Sequence, residues 1–174
     1  MANTYTLIEA KTLGSAVSSV TFTSIPNTYT DILFKISARE ASSNPWSDLR
    51  IGFNGSTSDF TWRGLYALNT TTGSNSGTGT GGRTVGNIAA DSNTSNTFSN
   101  LDIYISNYAS TSYAKSISTD SAVENNGTNN ILQLAATLWN PSTQAAIYEA
   151  TFTNSNSANF MVDSTFYLYG ISNS

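Results

Sequence analysis

The sequence predicts an all-β fold, an antiparallel β-sandwich of jelly-roll type. Three observations carry this expectation. Apolar and polar residues alternate with period two in run after run, no segment holds a sustained helical stripe, and Gly, Asn, Ser and Pro separate the runs. Strands with one apolar and one polar face are what antiparallel sheets need to cover a core on one side. Roughly eight to ten of them, joined by turns, describe a sandwich or jelly roll.

Taken in order, Val17–Phe22 is the first short candidate strand. In Thr30–Arg39, Ile32, Phe34, Ile36 and Ala38 share one face, and Asp31, Lys35, Ser37 and Arg39 the other. Asp48–Asn54 repeats the pattern with Leu49, Ile51 and Phe53 inward. Asn100–Tyr108 sets Leu101, Ile103 and Ile105 opposite Asp102, Tyr104 and Ser106. Ile131–Trp139 places Leu132, Leu134, Ala136 and Leu138 on one side, and the turn-rich flanks favour a strand there over a short helix. Tyr148–Phe152 and Thr165–Ile171 complete the stronger set, with weaker candidates at Tyr113–Thr119 and Phe160–Asp163. The expected core is Ile32, Phe34, Ile36, Leu49, Ile51, Phe53, Leu101, Ile103, Ile105, Leu132, Leu134, Leu138, Phe166 and Leu168. Each of the three prolines falls between candidate strands. Asn69–Arg83, glycine-rich and nearly uncharged, reads as a long flexible loop, and Ala90–Asn100 as a second polar stretch. No repeat or internal boundary divides the chain, so 1–174 is read as one domain.

Composition narrows the function. The 174 residues include 27 Ser, 25 Thr and 20 Asn, but no His, no Cys and 18 charged side chains. Without cysteine there is no disulfide framework and no zinc–thiolate site. Without histidine the usual general base, the usual metal ligand and the Ser-His-Asp triad are gone. A net charge of −4 argues against nucleic acid, whose binding rests on Lys and Arg. No stretch approaches the roughly 20 apolar residues of a membrane helix, and Leu7–Ile8 is too short for the apolar part of a signal peptide. Aromatic and β-branched residues in periodic runs argue against disorder.

The candidate constellations are few. Gly77, Gly79, Gly81 and Gly82 lack the strand–helix context of a phosphate loop. The 11 acidic residues are scattered, and the calcium-loop pattern is absent. A glycosidase would need two carboxylates, one with a pKa raised by burial. Trp46, Trp62 and Trp139 could stack on sugars or close the ends of the core. Loops Ser43–Trp46 and Trp62–Tyr66 are expected to supply partner contacts, through Trp46, Trp62, Arg63 and Tyr66, while Asn69–Arg83 stays peripheral. Catalytic, cofactor and metal residues: none is assigned.

The opening Tyr5–Arg39 contains "L-I-x-x-x-T-L" followed by "V-T-F-x-x-I-P-x-x-Y-T-D" and a strand ending Ser37-Ala38-Arg39. Leu49–Gly55 matches "L-x-x-x-F-N-G", and Phe166–Ile171 matches "F-x-L-Y-G-I". In these motifs the chain resembles a family of tailed-phage structural proteins common in phages of aquatic bacteria. The two ends carry the match, and residues 69–130 show no pattern that aligns. The resemblance implies a jelly-roll sandwich acting as a non-enzymatic virion surface module, with no cofactor. The expected role is a capsid decoration (cement) protein on the outer capsid surface. It would bind the major capsid protein, form a trimer or dimer, and touch neither nucleic acid nor membrane. The alternative is a receptor- or carbohydrate-binding module of a tail fibre or tail tip. The resemblance also makes Met1–Lys11 the first strand, at a sheet edge where a neighbouring chain could pair with it.

Overall fold

The computed structural model of the chain describes residues 4–124, 126–127 and 129–172. Among these, thirteen strands form two sheets. The larger contains β1 (Tyr5–Thr12), β3 (Asp31–Ser37), β6 (Phe60–Leu68), β7 (Thr71–Thr78), β9 (Asn100–Ile105), β10 (Lys115–Val123), β11 (Ile131–Trp139) and β13 (Thr165–Ile171). Its order is β1-β13-β3-β9-β10-β11-β6-β7. The smaller, in the order β2-β12-β5-β8-β4, contains β2 (Val20–Phe22), β4 (Arg39–Glu40), β5 (Trp46–Phe53), β8 (Thr84–Ala90) and β12 (Ala150–Asn154). All pairings are antiparallel except the short parallel β4–β8 pair. The one helical element among the described residues is a 3-10 turn at Gly79–Arg83. The chain is all-β, and its two sheets pack as a β-sandwich.

Alternation on the inner faces builds the core between the sheets. Phe34 and Phe166 of the larger sheet meet Phe22 and Phe152 of the smaller one. Ring centroids are 5.4 Å apart for Phe22–Phe34, 5.1 Å for Phe34–Phe152 and 5.8 Å for Phe152–Phe166. A second aromatic group joins Phe53 to Phe60 and Trp139, at 5.7 and 5.3 Å. Such inclined rings add about 0.5–1.5 kcal/mol per pair beyond the area they bury. Eleven of the fourteen expected core residues are buried.

The three that are not are Leu132, Leu134 and Leu138, so the two faces of β11 are the reverse of the sequence expectation. Ile131, Gln133, Ala135, Thr137 and Trp139 point inward, and the leucines point out. The cause is β8, every residue of which is buried. Its backbone lies close beneath β10 and β11. The Asn87 N–H donates to Ser121 Oγ (3.2 Å), and Thr137 Oγ1 donates to the Thr84 carbonyl (2.7 Å). Gly86 sits at φ 119°, and a Cβ there would fall 2.8 Å from that of Ser121. Only small or hydrogen-bonding side chains fit such an approach. Ser121, Ala135 and Thr137 therefore face in, and the leucines take the opposite side.

Two further expectations change. Asn69–Arg83 is mostly strand: after a two-residue turn led by Asn69 in the left-handed region (φ 53°), β7 pairs with β6 along its whole length. Trp62–Tyr66 likewise lies within β6 and is no loop. Phe160–Asp163 forms only bridges, from Phe160 to Val17 and Glu40. The first strand begins at Tyr5, and Met1–Asn3 lie outside the described residues.

Candidate functional site

Buried charges come first, because an active site needs some of them free. Arg39 is 3% exposed, and its guanidinium donates to the carbonyls of Asp91, Asn93, Thr94 and Thr97 at 2.9–3.1 Å, fixing the loop after β8. Glu40 accepts from Ser42 Oγ (2.5 Å) and Asn156 Nδ2 (3.0 Å). Lys115 Nζ donates to the Ser110 and Tyr113 carbonyls at 2.7 and 2.6 Å, and burial lowers its pKa. Each of these groups is used to hold a loop in place.

The carboxylates are arranged no more favourably for chemistry. Asp48 has its pKa raised by burial, against the opposing pull of Arg50 and a hydrogen bond from Asn87 Nδ2 (3.0 Å). Strand register sets Asp102 opposite Asp120 across β9 and β10. Asp102, however, is held by Lys35 Nζ at 2.7 and 2.6 Å on the exposed sheet face. Among the described residues no group of three or more Asp, Glu, His or Cys side chains could hold a metal ion.

What the fold does present is the outer face of the eight-stranded sheet, which no other element among the described residues covers at β11 and β6. Leu134 stands directly opposite Leu65, where Cβ atoms are ~5 Å apart. Leu132 and Leu138 extend the line along β11, with Ala67 and Ala136 between them on the same face. The four leucines are 64% (Leu65), 53% (Leu132), 56% (Leu134) and 37% (Leu138) exposed. The strip is about 20 Å long at the strand rise of ~3.4 Å per residue. Shallow grooves along it are floored by these leucines and walled by Arg63, Ser74 and Ser76. Single exposed leucines need no explanation, but a contiguous apolar strip rimmed by polar residues is the mark of an interaction surface.

A second hollow lies on the same sheet face, across the polar strip of β10, and is lined by Tyr5, Leu33, Lys35, Asp102 and Tyr169. Beside it Tyr104 Oη donates to Asp31 (2.5 Å), and that hydrogen bond, with burial second, pushes the Tyr104 pKa up to about 12.

The four contact residues read from the sequence are divided by this geometry. Arg63 is exposed on the leucine face, opposite Ala136 and Ser76. Trp62 and Tyr66 point the other way, because residues two apart on a strand share a face. Trp62 is 7% exposed and lies against Gly77; Tyr66 lies against Gly73. A Cβ on either glycine would fall 2.5–2.6 Å from the ring's polar atom, so these aromatics cover an edge strand that has no side chains there to cover itself. Trp46, half-buried at the start of β5, packs with Tyr66 and Leu68 on Ala89, Val123 and Ile131. Sequence reasoning missed Leu65 because β6 was not recognised as a strand, and it found the β11 leucines but assigned them to the core. Comparison with known protein families, characterised proteins and solved structures finds no match for this chain.

Proposed function

We propose that the chain is a non-enzymatic virion structural protein, a jelly-roll-type capsid decoration protein that binds the major capsid protein on the outer capsid surface. The observation that carries the reading is the exposed leucine strip of β11 and β6, an apolar docking surface on a protein whose buried Arg39, Glu40 and Lys115 hold loops in place. The resemblance of both chain ends to tailed-phage structural proteins supplies the partner. A surface with few charges also suits a shell part exposed to changing salt, since screening has little to weaken. Docking that covers the four leucines removes them from water, at about 25 cal/mol per Å² of apolar area.

The alternative, a carbohydrate- or receptor-binding module of a tail fibre or tail tip, draws on the hollow between Tyr5 and Tyr169. Tyrosine rings flanked by Lys35 and Asp102 offer a stacking platform with polar handles. Rebinding of purified protein to particles stripped of it separates the two. The decoration reading expects uptake in proportion to the major capsid protein and its loss with Leu65→Asp/Leu134→Asp. Uptake at a small fraction of capsid stoichiometry, sensitive to Tyr5→Ala/Tyr169→Ala instead, would favour the tail module.

A further inference from the structure

The larger sheet ends in two very different edges. β1, on one side, carries the Lys11–Glu9 ion pair and a register break between Leu7 and Glu9, both devices that discourage another strand from adding. The smaller sheet ends in β2 and β4, only three and two residues long. β7, eight residues long, has no charge, no proline and an unbroken register with β6. Its outward N–H and C=O groups form an edge on which no further strand pairs among the described residues. It is also symmetric in sequence: Thr72-Gly73-Ser74-Asn75-Ser76-Gly77-Thr78 reads the same in both directions about Asn75.

We propose that β7 pairs antiparallel with β7 of a second copy, around a twofold axis through Asn75, joining the two large sheets edge to edge. A twofold contact must be self-complementary, and the palindrome meets that condition position by position. Asn75 faces Asn75 of the second copy, Ser74 faces Ser76, Gly73 faces Gly77 and Thr72 faces Thr78. No charged residue opposes another on the two strands. On the leucine face the same register lines up Arg63 and Ser76 with Ser74 and Leu65 of the second copy, so the two docking strips lie on one continuous surface. The small side chains of β7 leave the backbone as the main binding group, and Trp62 and Tyr66 lie against that backbone at Gly77 and Gly73 from the inner face.

The contact area sets the strength. A strand of this length is ~27 Å long in a sheet ~10 Å thick, so each copy buries roughly a third of the ~800 Å² per partner of a standard stable interface. The dimer is therefore weak and concentration-dependent. This pairing rests on β7 alone and stands whether or not the capsid reading holds. It also moves the oligomer contact from the N-terminal strand to the opposite edge.

The full-length chain, having no cysteine of its own, permits a direct test. Asn75→Cys sets two thiols across the axis, and mild oxidation is expected to give a covalent dimer. Ala10→Cys, exposed on β1, is expected to stay monomeric. In sedimentation equilibrium, Ser74→Lys/Ser76→Lys puts lysine opposite lysine and raises the dimer dissociation constant roughly tenfold or more. Mixing that protein with Ser74→Glu/Ser76→Glu restores a mixed dimer, which only two correctly folded variants can form. Three results would overturn the proposal: a wild-type chain that stays monomeric at millimolar concentration, association indifferent to the lysine pair, or cross-linking of Ala10→Cys as fast as of Asn75→Cys.

Discussion

Truncating Leu134 to alanine separates the two possible faces of β11 by magnitude. Full burial of a leucine stabilises a fold by about 1.5–3 kcal/mol, and Leu134 keeps 56% of its surface in water. Less than half of that stabilisation is present, so Leu134→Ala should cost about 1 kcal/mol or less. Ile103, fully buried on β9, lacks that relief. Ile103→Ala removes the transfer term and leaves a cavity, at about 2–5 kcal/mol. The reverse substitution on the adjacent position sharpens the contrast. Ala135→Leu forces a larger side chain into the space between β11 and β8 and should cost about 1–3 kcal/mol. Urea unfolding followed by tryptophan fluorescence reads all three, since Trp62 and Trp139 are buried. A cost for Leu134→Ala matching that of Ile103→Ala, with Ala135→Leu tolerated, would refute the assigned faces and with them the exposed leucine strip.

Other outcomes follow from the same geometry. Gly86→Ala, at a positive φ and with its Cβ aimed at Ser121, should destabilise by about 1–3 kcal/mol in the same urea assay. Tyr104 should ionise near pH 12 in an absorbance titration, and Tyr104→Phe should remove that step. Because its folded pKa lies above the unfolded value of about 10, the stability it contributes is intact below pH 10 and is lost as pH rises toward 12. Asp48 has the same sign at lower pH: its raised pKa means the fold favours the protonated acid, so stability falls as pH rises from below 3.8 through the folded value. Asp48→Asn should therefore gain on the wild type across that window in melts taken at successive pH values, and the gain should level off above it.

Particular strands explain what the sequence could and could not reveal. β9 and β13 alternate because one face meets the core and the other turns outward, and their inner residues were legible one by one. β8 is buried on both sides and shows no alternation, so no candidate strand is read there. β7 has almost no apolar content; its strand state comes from pairing with β6 and from the rings of Trp62 and Tyr66, partners that no local pattern announces. The leucines of β11 have the periodicity of a core strand, and period-two patterns do not say which side is inside. The close approach of β8 decides it, a contact between residues some fifty positions apart, such as Thr84 and Thr137. Of the candidate site, Arg63 was legible as exposed, whereas Trp62 and Tyr66 had the composition of a binding loop and the job of covering glycines.

The central claim is that the leucine face of β11 and β6 docks on the capsid. A cryo-electron microscopy reconstruction of particles carrying the chain tests it most directly. The account predicts density on the outer shell with Leu65, Leu132, Leu134 and Leu138 turned toward the major capsid protein; the chain found on the tail, or on the shell with those leucines facing solvent, would contradict it.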